Sequence, residues 1–127
     1  MAIDFLLMED ICHIHANQLA CYGGSDGQRE PGLLASAIAQ PQATFDGEYL
    51  HKFPFEMAAA YLFHIVQNHP FIDGNKRTGA AAALAFLDFN EIEIEPPSGA
   101  IYDITMAVAI GQAGKGQVAE FFRKSAH

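Results

Sequence analysis

A chain of 127 residues fits one domain and is long enough to bury a core without disulfides or a structural metal. Fifteen acidic against seven basic side chains give a formal charge of −8, which argues against nucleic acid as a general partner, since phosphate backbones are met by clustered Lys and Arg. Half of the residues are hydrophobic and 17% are charged, so either the central helices are buried on all sides or a partner covers apolar surface.

In chain order, the apolar run Phe5-Leu6-Leu7-Met8 is too short for a signal peptide, and no basic region precedes it. Residues 9–22 place Ile11, Ile14, His15, Gln18, Leu19 and Tyr22 at helical spacing, and Gly23-Gly24 stops the pattern. Cys12 and Cys21 fall on that one helix, roughly 13 Å apart at ~1.5 Å per residue, which predicts unbridged, buried thiols in a reducing compartment. After a polar loop over 25–30, Pro31 opens a short helix over 32–40, closed by Pro41. Residues 44–54 have no helical period and carry Asp46-Gly47, a hairpin signal.

Two apolar helices follow, over 55–68 and 75–90. The interior of the second, from Gly79 to Leu87, is small and apolar all round, as for a buried central helix. This stretch is about half a membrane span, so no membrane is expected and the protein is read as soluble and cytoplasmic. Residues 91–95 alternate Glu with Ile, predicting a short strand or extended segment that Pro96-Pro97 breaks. Residues 101–110 and 118–124 read as closing helices. The expected fold is all-α: a compact single-domain bundle of about six helices over residues 1–127, with a short hairpin-like flap.

Between the two central helices stands His69-Pro70-Phe71-Ile72-Asp73-Gly74-Asn75-Lys76-Arg77-Thr78-Gly79. A neutral imidazole at His69 suits a base that takes a proton from an attacking hydroxyl. Pro70 keeps the helix from running through, and Phe71 anchors the loop to the core. Asp73 suits Mg²⁺, which is often bound by one carboxylate together with substrate phosphates. Gly74 and Asn75 open a helix whose unpaired N–H groups attract phosphate, and Lys76 and Arg77 add charge there. Taken singly, each has a plainer structural reading: a hydrogen-bonded histidine, a turn with an N-cap, two solvated cations. Their order and spacing favour chemistry.

Elsewhere, Gly111-x-x-Gly114-Lys115-Gly116 lacks the spacing and hydroxyl of a phosphate loop and is read as a plain loop. His13, His15, His51 and His64 show no metal-ligand spacing. Arg29 is read as a surface ion pair or a fold-fixing contact.

The stretch His69-Pro70-Phe71-x-Asp73-Gly74-Asn75-Lys76-Arg77 closely resembles the signature of the Fic/Doc family. Gly27-Gln28-Arg29-Glu30-Pro31-Gly32-Leu33-Leu34 and Ala37-x-x-Gln40-Pro41 resemble its Doc (death-on-curing) branch. The resemblance implies transfer of a phosphate-containing group from ATP, with Mg²⁺, to a protein hydroxyl. It gives His69 as base, Asp73 as metal ligand, and Gly74, Asn75 and Arg77 as phosphate contacts. The flap, residues 44–55, would align the target; within it Lys52 and Phe53 read equally as target contacts or as a solvated lysine beside an anchoring Phe. Lys76 where nucleotidyl-transferring members have Gly, and Ala80 where they carry a second arginine, resemble the Doc type. That type implies a reversed nucleotide and transfer of the terminal phosphate. The implied target is elongation factor Tu, with translation blocked. No inhibitory segment of the kind Fic proteins carry is visible in the chain, which implies a toxin restrained by a separate small antitoxin. AMP transfer by the same residues, and a non-catalytic binding module of the same fold, are the alternatives.

Overall fold

The computed structural model describes residues 2–126. Six helices follow one another: α1 (Met8–Tyr22), α2 (Leu33–Ala39), α3 (Phe55–Asn68), α4 (Asn75–Phe89), α5 (Ala100–Ala109) and α6 (Lys115–Ser125). A two-stranded antiparallel hairpin, β1 (Thr44–Phe45) and β2 (Glu48–Tyr49), turns at Asp46-Gly47 between α2 and α3. The all-α expectation, the six helices and the hairpin are all observed.

The antiparallel pair α3 and α4 forms the centre, with α2 and α6 packed on α3 and α1 on α4. Helix α3 buries Met57, Ala58, Ala59, Ala60, Tyr61, Leu62, Ile65 and Val66, so nearly its whole circumference faces protein. Each fully buried Leu, Ile or Val contributes about 1.5–3 kcal/mol by leaving water. The Tyr61 hydroxyl enters this core at little cost because it accepts the Leu6 N–H at 2.9 Å. Gly79 sets how closely the pair approaches: a Cβ there would stand 2.9 Å from Val66 Cγ2 and 3.1 Å from the Leu62 carbonyl.

Helix ends follow local chemistry. Asp10 reaches back to the Leu7 N–H at 2.7 Å to cap α1, and Gln117 does the same for Gly114 at 2.9 Å ahead of α6.

Several expectations are corrected. Pro41 does not end a helix sharply but lies inside a 3₁₀ turn, Gln40–Gln42. Helix α4 is not buried all round: Ala80, Ala81 and Leu84 line a cleft shared with α5. Lys115 and Gly116 are not loop residues but the first turn of α6. Cys21 is exposed rather than buried, while Cys12 is half-buried, and both are free thiols. Glu91 is a left-handed turn residue (φ 61°) rather than the start of an extended segment, and pairing begins at Ile94, through the Ile94–Ala126 bridge and Glu95 N–H to the Ser125 carbonyl at 2.7 Å. Among the described residues, no helix is long and apolar enough to cross a membrane.

Candidate active site

Helix α3 stops at Asn68 because His69 takes a left-handed conformation (φ 50°, ψ 55°) and Pro70 follows. A non-glycine residue there costs on the order of 1 kcal/mol or more and persists only where its surroundings hold it. Arg29 supplies one restraint: its guanidinium donates to the carbonyls of His69 at 2.9 Å and Asn68 at 3.3 Å. Both carbonyls belong to the unpaired, negative end of α3, where a cation is favoured. The neighbouring backbone continues the hold. Arg29 N–H donates to the Pro70 carbonyl and Ile72 N–H to the Gly27 carbonyl, each at 2.9 Å, flanking a bridge between Gln28 and Phe71. Arg29 is therefore a fold-fixing residue, and it fixes the motif.

Asn75 clamps the loop from the other side. It is 6% exposed; its Oδ1 accepts the Phe71 N–H at 2.9 Å and its Nδ2 donates to the Phe71 carbonyl at 2.9 Å. These two backbone partners fix the amide's orientation, so the group it turns to His69 Nδ1, 3.3 Å away, is a donor. The Asn75 side chain is spent inside the loop, so only its backbone N–H can serve a phosphate.

Asp73 is exposed, and its carboxylate accepts from the Gly74 N–H at 2.8 Å and the Ser25 N–H at 3.2 Å. The Ser25 and then the Gly74 N–H hold its carboxyl below the usual carboxylate range, with smaller help from the charges of Arg77 and His15. Gly24 makes room for this: a Cβ on it would lie 2.7 Å from Asp73 Oδ2. With one donor on each oxygen, the carboxylate keeps lone pairs for a cation. Among the described residues no three His, Cys, Asp or Glu gather to hold a metal alone. That donor set fits Mg²⁺ carried largely by phosphates rather than a self-sufficient metal site.

Helix α4 starts at Gly74 with no acidic residue in its first turn; ahead of it the Asp73 carboxylate takes the Gly74 N–H, which leaves the N–H groups of the turn that follows for an anion. Lys76 and Arg77 are exposed beside it. The Arg77 guanidinium lies 5.2 Å from the Tyr22 ring centroid and donates to the Gly23 carbonyl at 3.2 Å. Both cations line the cleft noted above, about 730 Å³, together with Tyr22, Ala80, Leu84 and Tyr102.

Pro70 and Phe71 are buried, Phe71 at 2% exposure, as an anchoring role requires. Lys52 is exposed, whereas Phe53 packs edge-on against Phe86, ring centroids 6.2 Å apart. No hydrogen bond or ring contact among the described residues links either to the motif loop. Phe53 anchors the hairpin, and the side chains the hairpin presents are Phe45, Tyr49 and Leu50.

Sequence reading missed the part played by Gly23, Gly24 and Ser25, which register in one dimension as a helix stop. It also missed a cluster in which Lys115 Nζ donates to His51 Nε2 at 3.1 Å and to His64 Nε2 at 2.9 Å. No spacing rule connects those three positions.

The chain is 40% identical over 91 residues to Toxin Doc of Mycolicibacterium smegmatis, covering 72% of this chain and 68% of that one. It is 32% identical over 116 residues to Protein kinase doc of Escherichia phage P1, covering 91% and 90% of the two chains. Residues 5–87, most of the helical core with the whole motif loop, match the model of the Fic/DOC family, to which this protein belongs.

Proposed function

We propose that this protein is a Doc-type toxin that transfers the terminal phosphate of ATP to a hydroxyl on a protein. The observation that carries the reading is the start of α4, with Lys76 and Arg77 at one side of a cleft whose wall is Ala80. A terminal phosphate at the first turn of α4 meets backbone N–H groups and two cations. The absence of a side chain beyond Cβ at Ala80 leaves space in the cleft for a nucleoside, consistent with the reversed nucleotide. That the two relatives are named a toxin and a protein kinase supports the same reading.

In the reaction, the target's hydroxyl oxygen bonds to the terminal phosphorus. The bond from that phosphorus to the bridging oxygen breaks, and ADP leaves. His69 takes the hydroxyl proton on its imidazole. Asp73 would hold Mg²⁺, which when bound supplies charge neutralisation along the phosphates. Lys76 and Arg77 stabilise charge on the transferring and leaving groups.

The target proposed is translation elongation factor Tu in the cytoplasm, and a small antitoxin is the proposed restraint. Bacterial lysate incubated with the protein, Mg²⁺ and ATP labelled at either the γ- or the α-phosphate tests the reading. A protein band labelled from γ alone is expected, at the mass of elongation factor Tu, and lost in His69→Ala. A band labelled from α alone would replace this reading with AMP transfer, and no band would favour a binding module.

A further inference from the structure

His15 is a buried polar residue of α1 that the reaction as written does not use. It is 3% exposed, and with Ile11 it forms the buried face of its helix. Its ring lies flat on Phe71, centroids 3.7 Å apart and planes 6° from parallel. Its Nε2 stands 2.8 Å from the Asp73 carbonyl oxygen, which can only accept, so the imidazole donates. A Cβ built on Gly74 would meet the same ring at 3.6 Å, so the imidazole lies directly beneath the Asp73–Gly74 peptide.

A trans peptide is planar, with its C=O and N–H pointing in opposite directions. Drawing the Asp73 oxygen inward to His15 therefore turns the Gly74 N–H outward, where it meets Asp73 Oδ1 at 2.8 Å. Gly74 has φ 80°, and a glycine on one side of a peptide makes its rotation easy. Rotated by half a turn, this peptide would turn a carbonyl oxygen toward the carboxylate and release it. Stacking on Phe71 could be supplied by any aromatic ring; the donated hydrogen bond could not.

We infer that His15 is a positioning residue: its hydrogen bond to the Asp73 carbonyl locks the Asp73–Gly74 peptide with its N–H on the Asp73 carboxylate, which is thereby held in place for the cation. The catalytic part of the inference rests on the function proposed above; the geometric part does not.

The test compares H15F, which keeps ring, volume and stacking but loses the donor, with H15Q, which keeps a donor. Phosphate transfer is followed against Mg²⁺ and target concentration, and the backbone amide signal of Gly74 is followed by NMR on isotopically labelled protein. For H15F the expected result is a kcat lowered about 10–100-fold, as for other groups that orient a metal ligand. The Mg²⁺ concentration for half-maximal rate should rise, KM for the target should not change, and the Gly74 amide signal should shift or broaden. H15Q should recover most of the rate and the Gly74 signal. H15F with wild-type rate, Mg²⁺ dependence and Gly74 signal would overturn the inference. So would H15Q as impaired as H15F, and if H15F does not fold, a folded H15Q with a displaced Gly74 amide overturns it alone. If the wild-type chain transfers no phosphate, the proposed function fails, while the Gly74 amide in the two variants still decides the role of His15.

Discussion

Helix α3 is entered through one connection and left through another, and the two are built on opposite principles. The exit, residues 69–77, is tied by Arg29 and the 27–29 backbone, by Asn75 from inside, by His15 from α1 and by Ser25 on the Asp73 carboxylate. The entrance is a hairpin of two-residue strands that leaves Phe45 70% and Leu50 59% exposed. Its attachments include Tyr49 on Phe5, Phe53 on Phe86 and Lys115 to His51, while Leu50 N–H to the Ala43 carbonyl closes the segment on itself. A loop that performs chemistry on a phosphate gains from being fixed before substrate arrives. A segment that shows apolar side chains to water gains nothing from the fold itself, and we propose it as the surface that meets another protein.

The largest expected effect breaks the rigid side. His69→Ala should slow transfer by about 10²–10⁴-fold, the usual worth of a positioned base, while the thermal unfolding curve keeps its shape. An undiminished rate would remove His69 from the mechanism. Next, Gly24→Ala would push a methyl group toward Asp73 Oδ2, to 2.7 Å if nothing moved. We expect Mg²⁺ affinity to weaken by about 10–100-fold, read by titrating Mg²⁺ against the rate.

On the open side, Phe45→Ser should change stability by no more than about 0.5 kcal/mol in denaturant unfolding, since the ring is already in water. It should instead raise KM for the protein target and leave the KM for ATP unchanged; equal KM values for the target would make the hairpin a bystander.

The smallest effect separates the two connections by pH. Burial, then the adjacent Lys115 charge, lowers the His64 pKa from 6.5 to about 4, and the same two causes lower that of His51. Lys115 and His64 come from α6 and α3, His51 from the hairpin's exit, and Glu56 adds the one opposing charge that acts on His51. Between these two pH values the unfolded chain binds a proton that folded His64 does not. The stability owed to its neutral form is complete above about pH 6.5 and is lost as pH falls toward 4. Corrected for the intrinsic slowing of exchange in acid, amide protection should therefore fall at residues 44–51 between pH 7 and 5 more than at 69–75, where backbone donors hold the loop. Equal loss of protection in both segments would contradict this division.

Much of the molecule was legible in one dimension because its signals are local. Helical spacing, Gly23 as a stop, Asp46-Gly47 as a turn and Pro70 as a barrier depend on near neighbours, and so does the order of residues 69–79. Other assignments changed once distant segments met. Asn75 could have met a phosphate with side chain or backbone until its amide was found closing on Phe71, and Phe53 had two readings, target contact or anchor, until it was found on Phe86. Arg29 had two readings that only the position of the α3 carbonyls could separate. The sequence by itself determined which residues have the chemistry to bind phosphate, hold a cation and accept a proton, since those capacities belong to side chains. The tertiary structure alone decided which of them remain free to use it. A hydrogen-bonding group serves a ligand only where the fold has not already satisfied it, and that depends on contacts from residues as far away as His15 and Ser25.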